Sequence, residues 1–214
     1  MEEVLDVYQR PLDPKRPLVC LDEGAKQLLG DSRPPEPMQP AQGEQAAHPM
    51  REDYEYVREG MCSFFMMFAP LLCWRHVVVT ERRTAQDFAS VLQYLVDVAF
   101  PEAERIVLVL DNLNTHTAAS LYEAFKPAEA KRLADKLEIH YTPKHGSWLN
   151  MAEIELSVLG RQCLDRRLSD VDILTDEIAA WEQARNASQQ TVHWRFTTAD
   201  ARIKLKKLYP EILP

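Results

Sequence analysis

Apolar and polar positions along this chain fall into blocks whose period switches between that of a strand and that of a helix. The clearest block is Ile106 to Leu110, an unbroken run of branched apolar residues of strand length. It lacks period-2 alternation, which is how a central strand covered on both faces reads. The run ends at Asp111, followed by the polar, turn-forming residues 112–116. A carboxylate at the carboxyl end of a buried strand is where an α/β sheet places reactive groups. The same residue would also serve to cap a helix beginning near Thr117.

Other blocks extend the pattern. Pro17 to Leu21 is a compact apolar strand that also ends in acid, at Asp22 and Glu23. Tyr54–Arg58, Met61–Phe68 and His76–Thr80 predict three strands from their β-branched and aromatic content. Thr84 to Phe100 predicts an amphipathic helix, with Thr84 and Asp87 as a capping pair and Pro101 as its stop. Ala118 to Leu137 predicts a helix broken at Pro127, and Glu138 to Tyr141 a short strand. Ser147–Leu164 and Val171–Asn186 predict two further helices, and a last one starts near Thr198. Asp31 to Glu52 carries five prolines, which forbid helix and central strand and predict a long surface connection. Strands first, then strands alternating with helices, give an α/β class: a mixed sheet with helices packed on it. One domain over residues 1–214 is expected, with a Pro-rich loop at about 31–52 and a helical tail at about 187–214.

Composition narrows the function classes. No apolar run approaches the ~18 residues of a membrane span, and the acidic N-terminus lacks the order of a signal peptide. Cys20, Cys62, Cys73 and Cys163 lie far apart in apolar contexts and read as reduced core residues, not a zinc site or disulfide framework. A cytoplasmic protein with no membrane partner is expected. The net charge of −8 argues against strong non-specific nucleic-acid binding by this chain alone.

A third carboxylate sits on the helix after Tyr141. Leu149, Ala152, Leu156, Leu159 and Cys163 recur at helical spacing and are expected to face the sheet. Asn150, Glu153 and Ser157 fall on an adjoining face, where Asn150 could orient Glu153 or a bound water. Glu155 is turned about 200° from Glu153 at ~100° per residue, so the two cannot serve one site; Glu155 reads as a solvated helix charge. Two acids at strand ends and one on an overlying helix form a hard-oxygen donor set. Such sets run two-metal phosphoryl transfer, with ions ~4 Å apart.

These residues carry a resemblance. Asp22, the pair Asp111-Asn112 with His116, and Gly146-Ser147-Trp148-Leu149-Asn150 followed by Glu153 resemble the DDE catalytic domain of the IS630 family of bacterial transposases, in the IS630/Tc1/mariner superfamily. Leu18–Glu23, Asp53–Arg58, Thr80–Thr84, Tyr141–Lys144 and Phe196–Arg202 are similar as well, so the likeness spans nearly the whole chain. It implies an RNase H-like fold with a central mixed five-stranded sheet flanked by helices. It also implies two Mg²⁺ or Mn²⁺ ions held by Asp22, Asp111 and Glu153, and DNA cleavage and strand transfer at terminal inverted repeats. The implied partners are double-stranded DNA (transposon ends and target) and a second copy in a homodimer on that DNA, in a bacterial cytoplasm at the nucleoid. Family members carry helix-turn-helix modules ahead of the catalytic domain, and none precedes Asp22 here. A separate N-terminal half is therefore expected, the chain being a split-frame second half, a remnant or an excised catalytic domain.

Supporting residues have two readings each. His116 could contact a scissile phosphate or bond a loop carbonyl, and Asn112 lies beside it. Lys144 and His145 precede a helix N-terminus, where a cation opposes the macrodipole and a phosphate partner explains it better. Trp148 could stack a base or pack on the sheet edge. Asn150 joins them as a candidate DNA contact. Arg82-Arg83, Arg161 with Arg166-Arg167, and Arg202 with Lys204, Lys206 and Lys207 fit backbone contacts or solvated faces equally. The rival to a transposase is a catalytically idle assembly or DNA-binding module; another metal-dependent nuclease of the same fold is a third reading.

Overall fold

The structure, a computed structural model, describes residues 1–41, 46–111 and 117–209. Its centre is a five-stranded sheet built from β1 (Leu18–Asp31), β2 (Tyr56–Ala69), β3 (Trp74–Thr80), β4 (Ile106–Leu110) and β5 (Leu137–Tyr141), in the order β3-β2-β1-β4-β5. β1, β2 and β3 are antiparallel neighbours, while β1, β4 and β5 run parallel. Helices cover both faces. α1 (Glu2–Tyr8), α5 (Met151–Gln162), α6 (Val171–Ala187) and α7 (Thr198–Lys204) share one core with Leu18, Cys20, Val107 and Val109. α2 (Ala85–Tyr94), α3 (Ala119–Ala124) and α4 (Pro127–Asp135) share the other with Val19, Leu21, Leu108 and Leu110. All five side chains of β4 are buried, as its unbroken apolar run predicts. This mixed sheet between helical layers is the expected RNase H-like architecture.

Three elements differ from their sequence patterns. β1 does not stop at Leu21 but continues through Asp22 to Asp31, because β2 pairs with it along that whole length. Tyr54–Arg58 and Met61–Phe68 are not separate strands. They form one strand, β2, with a bulge at Glu59, where Leu28 pairs with Gly60 and Leu29 with Arg58. Gly60 sits there at φ +125°, a conformation that glycine alone adopts readily. The helix from Ala85 changes at Leu95 to a wider π-helical turn ending at Ala99. The Thr84 capping box is formed, with Thr84 and Asp87 exchanging both bonds.

The outer edge of β3 is closed by side chains of α6. Asn186 Oδ1 accepts from Arg75 N at 2.9 Å, its amide donates to Arg75 O at 2.9 Å, and Glu182 accepts from Val77 N at 2.9 Å. Backbone groups that would otherwise template another strand are thereby occupied.

Candidate functional site

β1 and β4 run parallel with Leu18 against Val107, Val19 against Leu108 and Cys20 against Val109. Continued by two residues, that register sets Asp22 beside Asp111. Strand alternation assigns both to the α5 face, since Cys20 and Val109 point into the core that contains α5. β4 ends at Leu110 while β1 continues, so the two acids lie where the parallel part of the sheet gives out. Asp22 is buried, with Oδ1 accepting from Glu23 N at 2.8 Å, and Asp111 is half-buried.

α5 is docked onto β1 at both ends. Asn150 caps it, Oδ1 accepting from Ala152 N at 3.1 Å, and donates its amide to Leu21 O at 2.9 Å. Asn150 is wholly buried and both its polar atoms are spent, so it positions the helix and does not reach DNA, contrary to its expected role as a contact. Just past the far end Lys26 Nζ donates to Leu164 O at 2.6 Å and to Arg166 O at 3.0 Å, two carbonyls of the segment that follows the C-cap Cys163. The dimensions agree. Twelve helical residues at ~1.5 Å each span about 18 Å, and the five strand steps from Leu21 to Lys26 at ~3.3 Å span about 17 Å.

Between them runs a groove of about 520 Å³. One wall is the β1 stripe Asp22, Gly24 and Lys26; the other is the α5 stripe Glu153, Leu156 and Gly160, continued by Leu164 just past the helix. Asp22 and Glu153 thus line one groove, with Glu153 exposed in the first turn of α5. Gly24 has a packing reason: a Cβ there would lie 2.4 Å from the ring of Phe64, its cross-strand partner. The sequence pattern missed Gly24, Lys26 and Gly160. The signal was the period-2 continuation of β1, hidden by the polar break at Asp22-Glu23.

The donors here are carboxylate oxygens, which suit a hard divalent cation. Among the described residues no three His, Cys, Asp or Glu side chains are close enough to hold a common ion. The arrangement therefore supplies two carboxylates across one groove and a third on the adjacent strand.

The strand next door brings the basic residues. Thr142 N donates to Leu110 O at 2.8 Å, so the loop after β5 leaves the sheet beside Asp111. It carries Lys144, His145 and Trp148, all exposed, and turns tightly at Gly146, where a Cβ would meet Pro143 at 2.6 Å. His145 takes a left-handed φ of 64° in the same turn. Asn112 and His116 lie outside the described residues. Much of the remaining basic charge is paired within the chain: Arg83 with Glu23, Arg166 with Glu177, Arg167 with Asp31, Arg202 with Glu2 and Lys204 with Asp200.

Glu155 corrects the sequence reading. It is not a solvated charge but has no exposed surface, with Oε1 2.8 Å from Arg185 and Oε2 3.3 Å from the equally buried Arg75. The expected rotation away from Glu153 holds, and it points this second acid into the core. Cys20 lies under the start of α5. Burial pushes its thiol up to about 12, against the pull of Tyr8 and the Met151 and Ala152 backbone N–H groups. It is an inert core residue. Among the described residues no helix is long and apolar enough to cross a membrane.

A family model described as DDE superfamily endonuclease matches residues 17–175. No curated protein matches the chain. Among solved structures, the mariner Mos1 paired end complex with Mg aligns at a TM-score of 0.59 and 15% identity, covering 98% of this chain and 61% of that one. The Mos1 strand transfer complex aligns at 0.56 and 14%, covering 86% and 51%. The Mos1 transposase paired-end complex with left transposon end aligns at 0.53 and 14%, covering 88% and 55%. The chain therefore spans roughly half to three-fifths of the length of those proteins, and at these identities the likeness is one of fold.

Proposed function

Since the chain belongs to the DDE superfamily endonucleases, we propose that it is the catalytic domain of a transposase, cutting and rejoining DNA in a reaction that depends on a divalent cation. The observation that carries this is the placement of Asp22 and Glu153 across one groove, with Asp111 brought alongside by the β1–β4 register. The IS630-like motifs around Asp111 and from Gly146 to Glu153 support the narrower assignment to that family.

Asp22, Asp111 and Glu153 would hold Mg²⁺ or Mn²⁺, two ions in the complete site. Bound there, the cation supplies polarisation of a phosphoryl oxygen and a water of lowered pKa. The chain's own residues do the rest. β1 carries Asp22, the end of the neighbouring β4 carries Asp111, and Asn150 positions the helix of Glu153 by locking the start of α5 to Leu21. Lys144 and His145, exposed on the loop that leaves β5 beside Asp111, contact the phosphate backbone, and Asn112 and His116 are assigned to the same DNA. Water attacks the scissile phosphorus as the bond to O3′ breaks, leaving a 3′-hydroxyl and a 5′-phosphate; O3′ takes up a proton. That hydroxyl then gives up its proton and attacks a target phosphorus in line, as the bond to the target's own O3′ breaks and that oxygen leaves as a protonated 3′-hydroxyl; no covalent enzyme intermediate forms. The DNA is the element's terminal repeat and its target, held by two copies of the chain.

The test is nicking of a labelled duplex carrying the terminal repeat. Wild type is compared with Asp22→Asn, Asp111→Ala and Glu153→Gln in Mg²⁺, Mn²⁺ and EDTA. Cation-dependent nicking lost in all three variants is expected. Nicking that survives Asp111→Ala, or a folded protein that binds no Mn²⁺, would overturn the assignment.

A further inference from the structure

Resting on that reading of the groove, we propose that Trp148, backed by Trp194 and Phe196, is a stacking platform for an unpaired nucleobase of the DNA strand that enters it. Trp148 sits on the 3₁₀ turn Ser147–Leu149, immediately ahead of the Asn150 cap and a turn before Glu153. It therefore belongs to the segment that leads into the helix carrying Glu153, and 45% of its surface is open to water.

The ring is not a loose surface residue. Trp194 stacks on it at 6.4 Å between centroids and 20° between planes, and Phe196 meets it edge-on at 5.9 Å. Trp194 is itself fixed, by Tyr8 at 5.0 Å and by its indole N–H donating to Phe196 O at 2.7 Å. Tyr8 also donates its hydroxyl to Leu149 O at 2.6 Å, tying down the turn that carries Trp148. Two separate segments, α1 and the stretch 194–196, thus hold one large aromatic ring in place without covering it. A ring serving only to pack would be closed off by such neighbours. A ring held rigid and left open loses little side-chain entropy when something stacks on it.

The surrounding charge identifies the occupant. Lys144 and His145 are exposed on the same turn-bearing loop, and Arg195 is exposed between the two backing aromatics. Lys204 Nζ lies 5.5 Å over the Phe196 ring, with Asp200 as its partner at 3.5 Å. In a chain of net charge −8, basic residues exposed on the two segments that meet at an open aromatic ring fit a polyanion that carries flat π-faces. That is single-stranded nucleic acid. A base inside a duplex already has both faces stacked on its neighbours, so only an unpaired or splayed base has a face to offer.

The experiment uses the whole chain in EDTA, where cleavage cannot occur. The probe is a duplex with a short single-stranded overhang containing 2-aminopurine, compared with a blunt duplex of equal length. Wild type should prefer the overhang and quench its fluorescence. Trp148→Leu should weaken overhang binding by about 5- to 100-fold and leave blunt binding unchanged, whereas Trp148→Phe should stay close to wild type. Circular dichroism confirms the fold of each variant. Equal overhang binding by Trp148→Leu and wild type, or no overhang preference in wild type, overturns the platform. So does a dimer that Trp148→Leu converts to a monomer with DNA binding intact, which would make a second copy the occupant. None of these outcomes touches the carboxylate assignment. Glu153→Gln, losing nicking while keeping overhang binding, tests that site by itself.

Discussion

Replacing Glu155 by alanine should destabilise the fold severely, while the same change at Glu153, two positions away, should barely affect it. Glu155 lies between the buried guanidinium of Arg75 and that of Arg185, at 3.3 and 2.8 Å. Removing it leaves Arg75, which has no exposed surface, as a buried cation without its counter-charge. Breaking a buried pair in this way costs about 3–5 kcal/mol. The lower end applies here, because Arg75 keeps Asn186 Oδ1 at 3.1 Å, Gln190 O and the face of Phe68 at 5.4 Å. Arg185 keeps the Trp181 ring at 5.8 Å. About 3 kcal/mol is a large share of the 5–15 kcal/mol that typically holds a domain together.

Urea titration followed by circular dichroism checks this. With a slope of roughly 2–3 kcal/mol per molar for a chain of this size, the Glu155→Ala midpoint should fall by about 1 M or more. Glu153→Ala loses only a favourable charge at a helix N-terminus, about 0.3–1 kcal/mol, and its midpoint should move by less than about 0.5 M. Arg75→Met combined with Glu155→Leu removes both charges and should be more stable than Glu155→Ala alone. Equal midpoints for the two single variants would refute the buried-pair reasoning. A double variant no better than Glu155→Ala would show that the loss is a packing defect instead.

Other expectations follow from the same geometry. Asn150→Ala removes a helix cap and orphans Leu21 O, and should cost about 2–3 kcal/mol in urea while weakening Mn²⁺ binding in titration. Gly24→Val drives a side chain toward the Phe64 ring and should lower stability by about 1–3 kcal/mol, with Phe64 displaced in the variant's crystal structure. Burial alone would raise the Glu138 carboxyl above its ordinary 4.5, but bonds from Arg10, His140 and Arg16 outweigh it and bring it down to about 2. A lowered carboxylate contributes stability that is present above its unfolded value and lost as pH falls through its folded one. Acid titration between about 4.5 and 2 should therefore be flatter in Glu138→Gln than in wild type.

The fold was legible wherever a segment's burial is set by its own residues. β4 needed only its apolar run, because both of its faces are covered, and α2 announced its start through the Thr84–Asp87 pair. What stayed hidden depended on partners far along the chain. Asp22-Glu23-Gly24 looks like the end of a strand because its apolar pattern stops there. The strand continues only because Met66, Phe65 and Phe64 of β2 pair with those three residues. Glu155 looked solvated because nothing on its own helix marks it as paired. Its guanidinium partners come from β3 and α6.

These two misreadings concern opposite sides of one helix, and together they explain how Glu153 is held. α5 has to present one acid to the groove while its other face is fixed against the sheet. The fixing is done at three points: Asn150 to Leu21 at the start, Lys26 on the carbonyls just past the far end, and Glu155 between Arg75 and Arg185 on the buried face. The first two set the position of α5 along β1, and neither prevents rotation about the helix axis. The third does, because Arg75 is wholly buried on the sheet and Arg185 sits on the helix packed beyond it. A turn of α5 that carried Glu153 away from Asp22 would pull Glu155 off both cations at once. A buried ion cluster is weak as a source of net stability, but its penalty for misplacement is steep. The Asp-Asn and Asn-x-x-Glu signatures mark the acids proposed for the site. The residue that fixes the direction in which the last of them points is the neighbouring acid whose role the helical pattern concealed.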